Sequence, residues 1–209
     1  MQIELKQVSK RYRYEWILKK MDYQFLATES YAVLGHNGSG KSTLMQMLSG
    51  FLSPSSGRII FSENNKILDI NQVYKCVSFA APYTELVEEL TLEESLQFQQ
   101  KFKHFVAGLT VNSVLELLQL PKTAKNKPVQ FFSSGMKQRL KLALAILSDT
   151  PVLLLDEPTI TLDTQGISWY RKLLQDYALG KKLVIIASNV EEDVRGCNRK
   201  LDILEFKKG

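Results

Sequence analysis

The apolar run Tyr31-Ala32-Val33-Leu34 passes directly into Gly35-His36-Asn37-Gly38-Ser39-Gly40-Lys41-Ser42-Thr43. Few segments constrain a chain more. A strand-sized apolar stretch must turn sharply where the glycines begin. From Lys41 onward, Leu44, Met47 and Leu48 recur at helical spacing until Gly50 supplies a stop. Strand, glycine-rich loop and helix in this order form the unit of an α/β fold. The spacing G-x-x-x-x-G-K-S wraps the loop so that successive backbone N–H groups face an anion at a helix N-terminus. Glycines stand where a side chain would collide with the phosphates, Lys41 brings positive charge, and Ser42 offers a hydroxyl to Mg²⁺. Gly35, His36, Asn37, Gly38, Ser39, Gly40, Lys41, Ser42 and Thr43 are therefore candidate nucleotide-binding residues. Of these, His36 occupies a variable position of the loop.

A second apolar run, Val152-Leu153-Leu154-Leu155, ends in the acids Asp156 and Glu157. In an open α/β sheet the ligand crevice lies at the carboxyl ends of the strands. Asp156 there suits Mg²⁺, and Glu157 suits a water that attacks the γ-phosphate. A third strand-sized run, Leu183 to Ala187, follows a helical pattern at Ile167, Tyr170, Leu174 and Tyr177 that Gly180 closes. At the other end of the chain, Gln2 to Val8 alternates apolar and polar residues, and Arg58 to Phe61 reads as a strand after a Pro/Ser/Gly turn. These segments predict an N-terminal antiparallel element.

The stretch from about 84 to 148 is of another kind. Thr91 with Glu94 makes a capping-box pattern, and Leu92, Leu96, Phe98, Phe102 and Phe105 follow at helical spacing. A second helix carries Val111, Val114, Leu115 and Leu118 up to Pro121, and a third is expected from Ser134 to Leu147. No strand pattern interrupts them. The expected organisation is one domain over residues 1–209 with a helical insert at about 84–148.

At 209 residues and 44% hydrophobic content the chain is large enough for a full core. Its apolar runs are strand-sized, far short of a membrane span. No long apolar stretch follows Met1, so the expected location is the cytoplasm. Cys76 and Cys197 stand apart without metal-ligand spacing and read as reduced packing residues. The net charge of +5, with basic clusters at Lys6 to Arg13 and Arg195 to Lys208, is read as solvated surface, and no nucleic-acid partner is expected.

Between the two phosphate-site motifs lies Phe132-Ser133-Ser134-Gly135-Met136-Lys137-Gln138-Arg139, a small-residue turn opening a helix and a second anion-facing N-terminus. This segment resembles the signature motif of ABC-type ATPases, usually L-S-G-G-Q, and the order P-loop, signature, Walker B is that family's order. Gly50-Phe51-Leu52, Pro158-Thr159 and the D-loop-like Thr161-Leu162-Asp163 extend the resemblance over nearly the whole chain. It implies a P-loop NTPase with a RecA-like core, bound ATP and Mg²⁺, and a nucleotide clamped between two subunits. Lys41 would then touch the β- and γ-phosphates, Ser42 and Asp156 the metal, and Thr43 the α-phosphate. Ser133, Ser134 and Gly135 would reach the partner's nucleotide in trans. Tyr12 matches the aromatic that stacks on adenine, with Tyr14 and Trp16 as substitutes, and Asp163 matches the D-loop acid.

Besides Ser134 and Met136 in the signature, where Gly and Gln are commonest, the chain departs from the family pattern in two places. Asn189 stands where a switch histidine is usual, and an amide donates a hydrogen bond but carries no proton. The segment Ser78 to Tyr83 lacks the glutamine that usually touches Mg²⁺ and connects to the insert, leaving backbone, water or Glu85 to do so. Slow or altered hydrolysis is the expectation. The resemblance implies an ATP-hydrolysing subunit of an ABC transporter, with a second ATP-binding subunit and a separate transmembrane permease chain. It would lie on the inner face of the cell membrane, where the acids Glu85, Glu88, Glu89, Glu93 and Glu94 are either a solvated face or part of the contact with the permease. The alternatives are a slow-turnover ATP-dependent switch and a soluble ABC ATPase outside transport.

Overall fold

The computed structural model describes residues 1–64, 66–106 and 108–207. Lys208, the last residue of the C-terminal basic cluster, lies outside them. The chain begins with β1 (Gln2–Tyr12), β2 (Glu15–Phe25) and β3 (Ser30–Leu34), then α1 (Lys41–Leu48), β4 (Ser56–Glu63), β5 (Lys66–Ile67), α2 (Val73–Cys76) and β6 (Val77–Ala80). It continues through α3 (Leu92–Gln100), α4 (Val111–Leu117) and α5 (Ser134–Ile146) to β7 (Val152–Asp156). The last elements are α6 (Thr164–Tyr177), β8 (Leu183–Ala187), α7 (Glu191–Val194) and β9 (Arg199–Asp202).

Two sheets result. One is antiparallel, in the order β2-β1-β4-β5, and the other is parallel, in the order β6-β7-β8-β3-β9. A parallel sheet is covered on both faces, which explains why β7 and β8 are apolar at nearly every position. Alternation then sorts their side chains into two cores. Val152, Leu154, Leu183 and Ile185 pack with α1 and the inner face of the antiparallel sheet. Leu153, Leu155, Val184 and Ile186 pack with α5, α6 and the helices that precede them. The parallel sheet is thus the middle layer, and its strand ends are held from both sides.

The Thr91 capping box is present: Thr91 N donates to Glu94 Oε2 at 2.8 Å, and Glu94 N donates to Thr91 Oγ1 at 3.3 Å. The helix it starts is shorter than its apolar spacing predicts, because α3 ends at Gln100 and leaves Phe102 and Phe105 outside it. The cause is tertiary. Val106 N donates to Leu147 O at 2.8 Å and Asp149 N to His104 O at 2.8 Å, so the main chain pairs with the end of α5 instead of continuing the helix. Phe105 is buried there, whereas Phe98 and Phe102 stay exposed, stacked edge to face at 5.0 Å. Four strands escaped the sequence pattern. β2 carries lysines among its apolar residues, β5 has only two residues, β6 is only four residues long, and β9 reads Arg-Lys-Leu-Asp.

Lys182, just before β8, is buried and donates its ammonium to Ile146 O at 2.9 Å and to Ser148 O. It thereby ties the C-terminal end of α5 to the parallel sheet. Burial lowers its pKa to about 8. Unfolded lysine titrates near 10.4, so between these values the unfolded chain binds the extra proton and stability rises with pH. Denaturation midpoints of the parent, measured against Lys182→Met from pH 7.5 to 10.5, should climb relative to the variant across this window. A flat difference would show that the ammonium is not desolvated.

Candidate functional site

Strands β7, β8 and β3 are neighbours and point the same way, so their carboxyl ends open at one edge of the sheet. Each end delivers a different motif. After β3 comes the loop from Gly35 to Gly40, after β7 Glu157, and after β8 Ser188 and Asn189. An open hollow of about 380 Å³ lies there, lined by Ile17, Asn37, Gly38, Gly40, Lys41, Ser42, Thr43, Glu157 and Ile160. Gly35, His36 and Ser39 do not line it. His36 is exposed, and its Nδ1 lies 2.8 Å from Asn37 O.

The loop geometry needs its glycines. Gly40 has φ +108°, and a Cβ there would stand 2.6 Å from Ile17 Cγ2. Gly38 has φ +78° but faces open space. No side chain caps α1, so its first amides, those of Lys41, Ser42 and Thr43, are turned to the hollow with the positive end of the helix dipole. Lys41 is nearly buried. Its Nζ donates to Gly35 O at 2.6 Å and stands 3.8 Å from Glu157 Oε1.

Glu157 is held in the left-handed region at φ +47°, a strained conformation for a non-glycine residue, and its N–H donates to Ala187 O at 2.8 Å. Burial raises its carboxyl pKa above the usual carboxylate range, and Lys41 opposes the shift. Asp156 is buried, and desolvation raises it too, with the Ser42 and Tyr83 hydroxyls acting against this. Its Oδ2 accepts from Tyr83 Oη at 3.1 Å. Its Oδ1 has no hydrogen-bond partner among the described residues. A buried, unpartnered carboxylate oxygen beside a serine hydroxyl is a hard-oxygen donor set of the kind Mg²⁺ takes, with the remaining positions left to water and phosphate. Among the described residues no group of three or more His, Cys, Asp or Glu side chains is placed to hold a metal ion by itself. Asn189 is exposed and donates from Nδ2 to Asn37 Oδ1 at 3.2 Å, which bridges the end of β8 to the loop after β3.

A family model described as "ABC transporter" matches residues 18–160, well over half of the chain. The chain belongs to the ABC transporter family. It is 35% identical over 168 residues to "Uncharacterized ABC transporter ATP-binding protein YcbN" of Bacillus subtilis, covering 80% of this chain and 54% of that protein. It is 32% identical over 208 residues to "Nod factor export ATP-binding protein I" of Rhizobium johnstonii, covering 97% and 66%. The chain therefore spans between half and two thirds of the length of these curated relatives. Its fold is that of the ATP-binding cassette MJ0796, solved as a dimer in a post-hydrolysis state bound to ADP and Pi, with a TM-score of 0.82, 21% identity and 99% of both chains covered.

In this ABC-family chain the lining of the hollow does not include Ser133, Ser134 or Gly135, although Ser134 O lies 3.5 Å from Thr161 Oγ1, next to the lining residue Ile160. Ser133 caps α5 by accepting from Met136 N at 3.3 Å. Behind the turn, Gln138 Nε2 donates to Pro158 O at 2.7 Å, tying the signature helix to the loop after Glu157. Asp163 caps α6, accepting from Gly166 N at 2.7 Å. The structure does not bring Tyr12 into the hollow. It lies near the tip of the β1–β2 hairpin, half exposed, with Lys10 Nζ 5.3 Å from its ring centre. Tyr14 is fully exposed, and Trp16 stacks with Arg11 beside a different hollow. Three of the five acids of this cluster have partners within the chain: Glu88 pairs with Lys137, Glu93 with Lys125 at 3.2 Å, and Glu94 serves the capping box.

Three residues of the site were missed in the sequence. Ile17, on β2, and Ile160, in the loop after Glu157, form apolar walls of the hollow. Tyr83 stands in the segment that lacks a glutamine, yet its hydroxyl bonds Asp156, and its neighbour Pro82 accepts from Lys141 Nζ of α5 at 3.2 Å. Burial and the Asp156 carboxylate push the Tyr83 phenol well up, so it stays protonated and a donor. The contact needs the tertiary placement of the loop after β6, which no spacing rule conveys.

The glycine geometry separates two substitutions. Gly40→Ala should cost about 1–3 kcal/mol in urea denaturation, because strained backbone and collision with Ile17 combine. Gly38→Ala should cost no more than about 1–2 kcal/mol, the left-handed penalty alone. Equal losses would show that Ile17 gives way freely.

Proposed function

We propose that this chain binds ATP with Mg²⁺ at the ends of β3 and β7, hydrolyses it, and serves as the ATP-binding subunit of an ABC transporter. The observation that carries the reading is Lys41 Nζ facing Glu157 Oε1 at 3.8 Å across a hollow lined by helix-terminal amides. Lys41 and the amides of Gly40, Ser42 and Thr43 hold the phosphates and neutralise the charge that develops on them. Glu157 accepts a proton from the attacking water, and burial, by raising its pKa, makes it a stronger proton acceptor than an exposed carboxylate. Ser42 and Asp156 hold Mg²⁺, whose chemistry is to neutralise and orient phosphate oxygens. Tyr83, donating to Asp156, keeps one carboxylate oxygen directed away from the metal position. Ile17 offers an apolar wall to the base, with Tyr12 as its proposed stacking partner.

One domain spans residues 1–209, with the helical insert at about 84–148. Ser133, Ser134 and Gly135 are not among the residues that line this chain's own hollow, which supports a second ATP-binding subunit supplying them in trans, with Asp163 at the contact. The MJ0796 cassette, described as dimeric, supports the same arrangement. The membrane passage is assigned to a separate permease chain, with this subunit sitting peripherally on the inner face; no helix among the described residues is long and apolar enough to cross a membrane. No nucleic acid takes part.

A second reading, a slow-turnover ATP-dependent switch, is favoured by Asn189, which reaches the phosphate loop but brings no titratable proton. Glu157→Gln should lower hydrolysis by about 10²–10⁴-fold while ATP binding persists and ATP-dependent dimers accumulate in size-exclusion chromatography. Normal hydrolysis by this variant would remove Glu157 as the base. Asn189→His should raise steady-state turnover, by at most about 10²–10³-fold, the worth of one transition-state contact. An unchanged rate would take position 189 out of the reaction.

A further inference from the structure

Behind Glu157 lies a buried carboxylate that the proposed reaction does not use. Asp193 belongs to α7, a single turn packed under the crevice, and is 1% exposed. A charge there needs partners. Its Oδ2 lies 2.5 Å from Ser188 Oγ, while its Oδ1 has no partner in hydrogen-bond geometry among the described residues. The amide and hydroxyl of Thr159, two residues beyond Glu157, face the carboxylate and favour its charged form, and burial acts the other way and is the larger influence. Ser188 is itself fully buried. Its Oγ also lies 3.3 Å from Glu157 Oε2 and accepts from Val190 N at 3.0 Å.

The hydrogen count at Ser188 is restrictive. A serine hydroxyl has one proton and two lone pairs. Two carboxylates compete for the proton, and Asp193 is the nearer by 0.8 Å, the difference between 3.3 and 2.5 Å. Val190 N–H occupies one lone pair. The other is left towards Glu157.

We propose that Asp193 is a positioning residue for hydrolysis: by holding the single proton of Ser188, it fixes a Ser188 lone pair against Glu157 Oε2. The inference rests on Glu157 being the base. When the attacking water forms its bond to phosphorus, its O–H bond breaks, the proton passes to Glu157, and ADP leaves. The new Glu157 O–H then has an acceptor already in place at Ser188. Without Asp193 the hydroxyl rotates freely and its proton turns towards the glutamate, an arrangement that suits the carboxylate before reaction and opposes the acid after it. The same contacts tie the Thr159 loop to the end of β8, which keeps Glu157 in its left-handed conformation.

The test uses the full chain with saturating MgATP. Asp193→Asn and Ser188→Ala should each lower kcat about ten- to hundredfold, as misplacement of a reacting group does, with KM and the affinity for a fluorescent ATP analogue within about twofold of the parent. In a Glu157→Gln background neither substitution should lower the residual rate further, because both act through Glu157. Ser188→Ala removes one oxygen and keeps Asp193, so it decides the matter if Asp193→Asn does not fold. Unchanged kcat in both variants, with Glu157→Gln inactive, overturns this inference alone. A loss of nucleotide affinity equal to the loss of kcat overturns it in favour of a purely structural role. Normal hydrolysis by Glu157→Gln overturns the base assignment and this inference with it.

Discussion

The parallel pairing of β7 with β8 and of β8 with β3 is the constraint on which the rest depends. Parallel neighbours end on the same side, so three loops far apart in sequence open side by side. The residues they carry, Lys41, Glu157 and Asn189, come from positions spread over about three quarters of the chain. Main-chain hydrogen bonds in register set their spacing, and the two apolar cores on either face keep the strands from shifting. A one-residue slip of β8 would turn Val184 and Ile186 to the wrong core and move Ser188 away from Glu157.

Once the strand ends are gathered, electrostatics dominates. Three acids, Asp156, Glu157 and Asp193, stand within a small region that burial makes unfavourable for charge, and each has its pKa raised. Among the described residues the buried side-chain oxygens without a partner are Ser39 Oγ in the loop after β3, Asp156 Oδ1 at the end of β7 and Asp193 Oδ1 on α7, after the end of β8. Polar groups left unsatisfied in a well-packed chain mark the places where stability has been given up for ligand chemistry. The opposing positive charge is Lys41 and the dipole of α1, set on the other side of the hollow.

The α5 helix links this crevice to the remaining surface. Its N-terminal turn contains Ser133, its second turn holds Pro158 through Gln138, its side holds Pro82 through Lys141, and its C-terminal end is fixed by Lys182. The loop after Glu157 and the loop containing Tyr83 are therefore both fastened to one rigid element. A change in either loop has a direct mechanical path to the signature turn.

Much of this was legible in the residues. The phosphate loop, the acids closing β7 and the strands β3, β7 and β8 have local signatures, because glycine spacing, apolar runs and helix stops act within a few residues. The family order of motifs extended that reading to the signature turn and to Asn189. What local rules could not convey was decided by contacts across the sequence. The spacing of Phe102 and Phe105 favoured a longer α3, but pairing of the main chain with the end of α5 ended it at Gln100. The segment without a glutamine read as a missing link to the metal position, yet the fold brings Tyr83 to Asp156 from 73 residues away. No pattern in the sequence singles out Asp193, and only the packing of α7 beside Ser188 buries it. By itself the sequence determined a strand, glycine loop and helix of the phosphate-binding pattern and which residues could serve such a site. The tertiary structure decided which of them meet, because a hydrogen bond between side chains far apart in sequence exists only after the strands have brought their ends together.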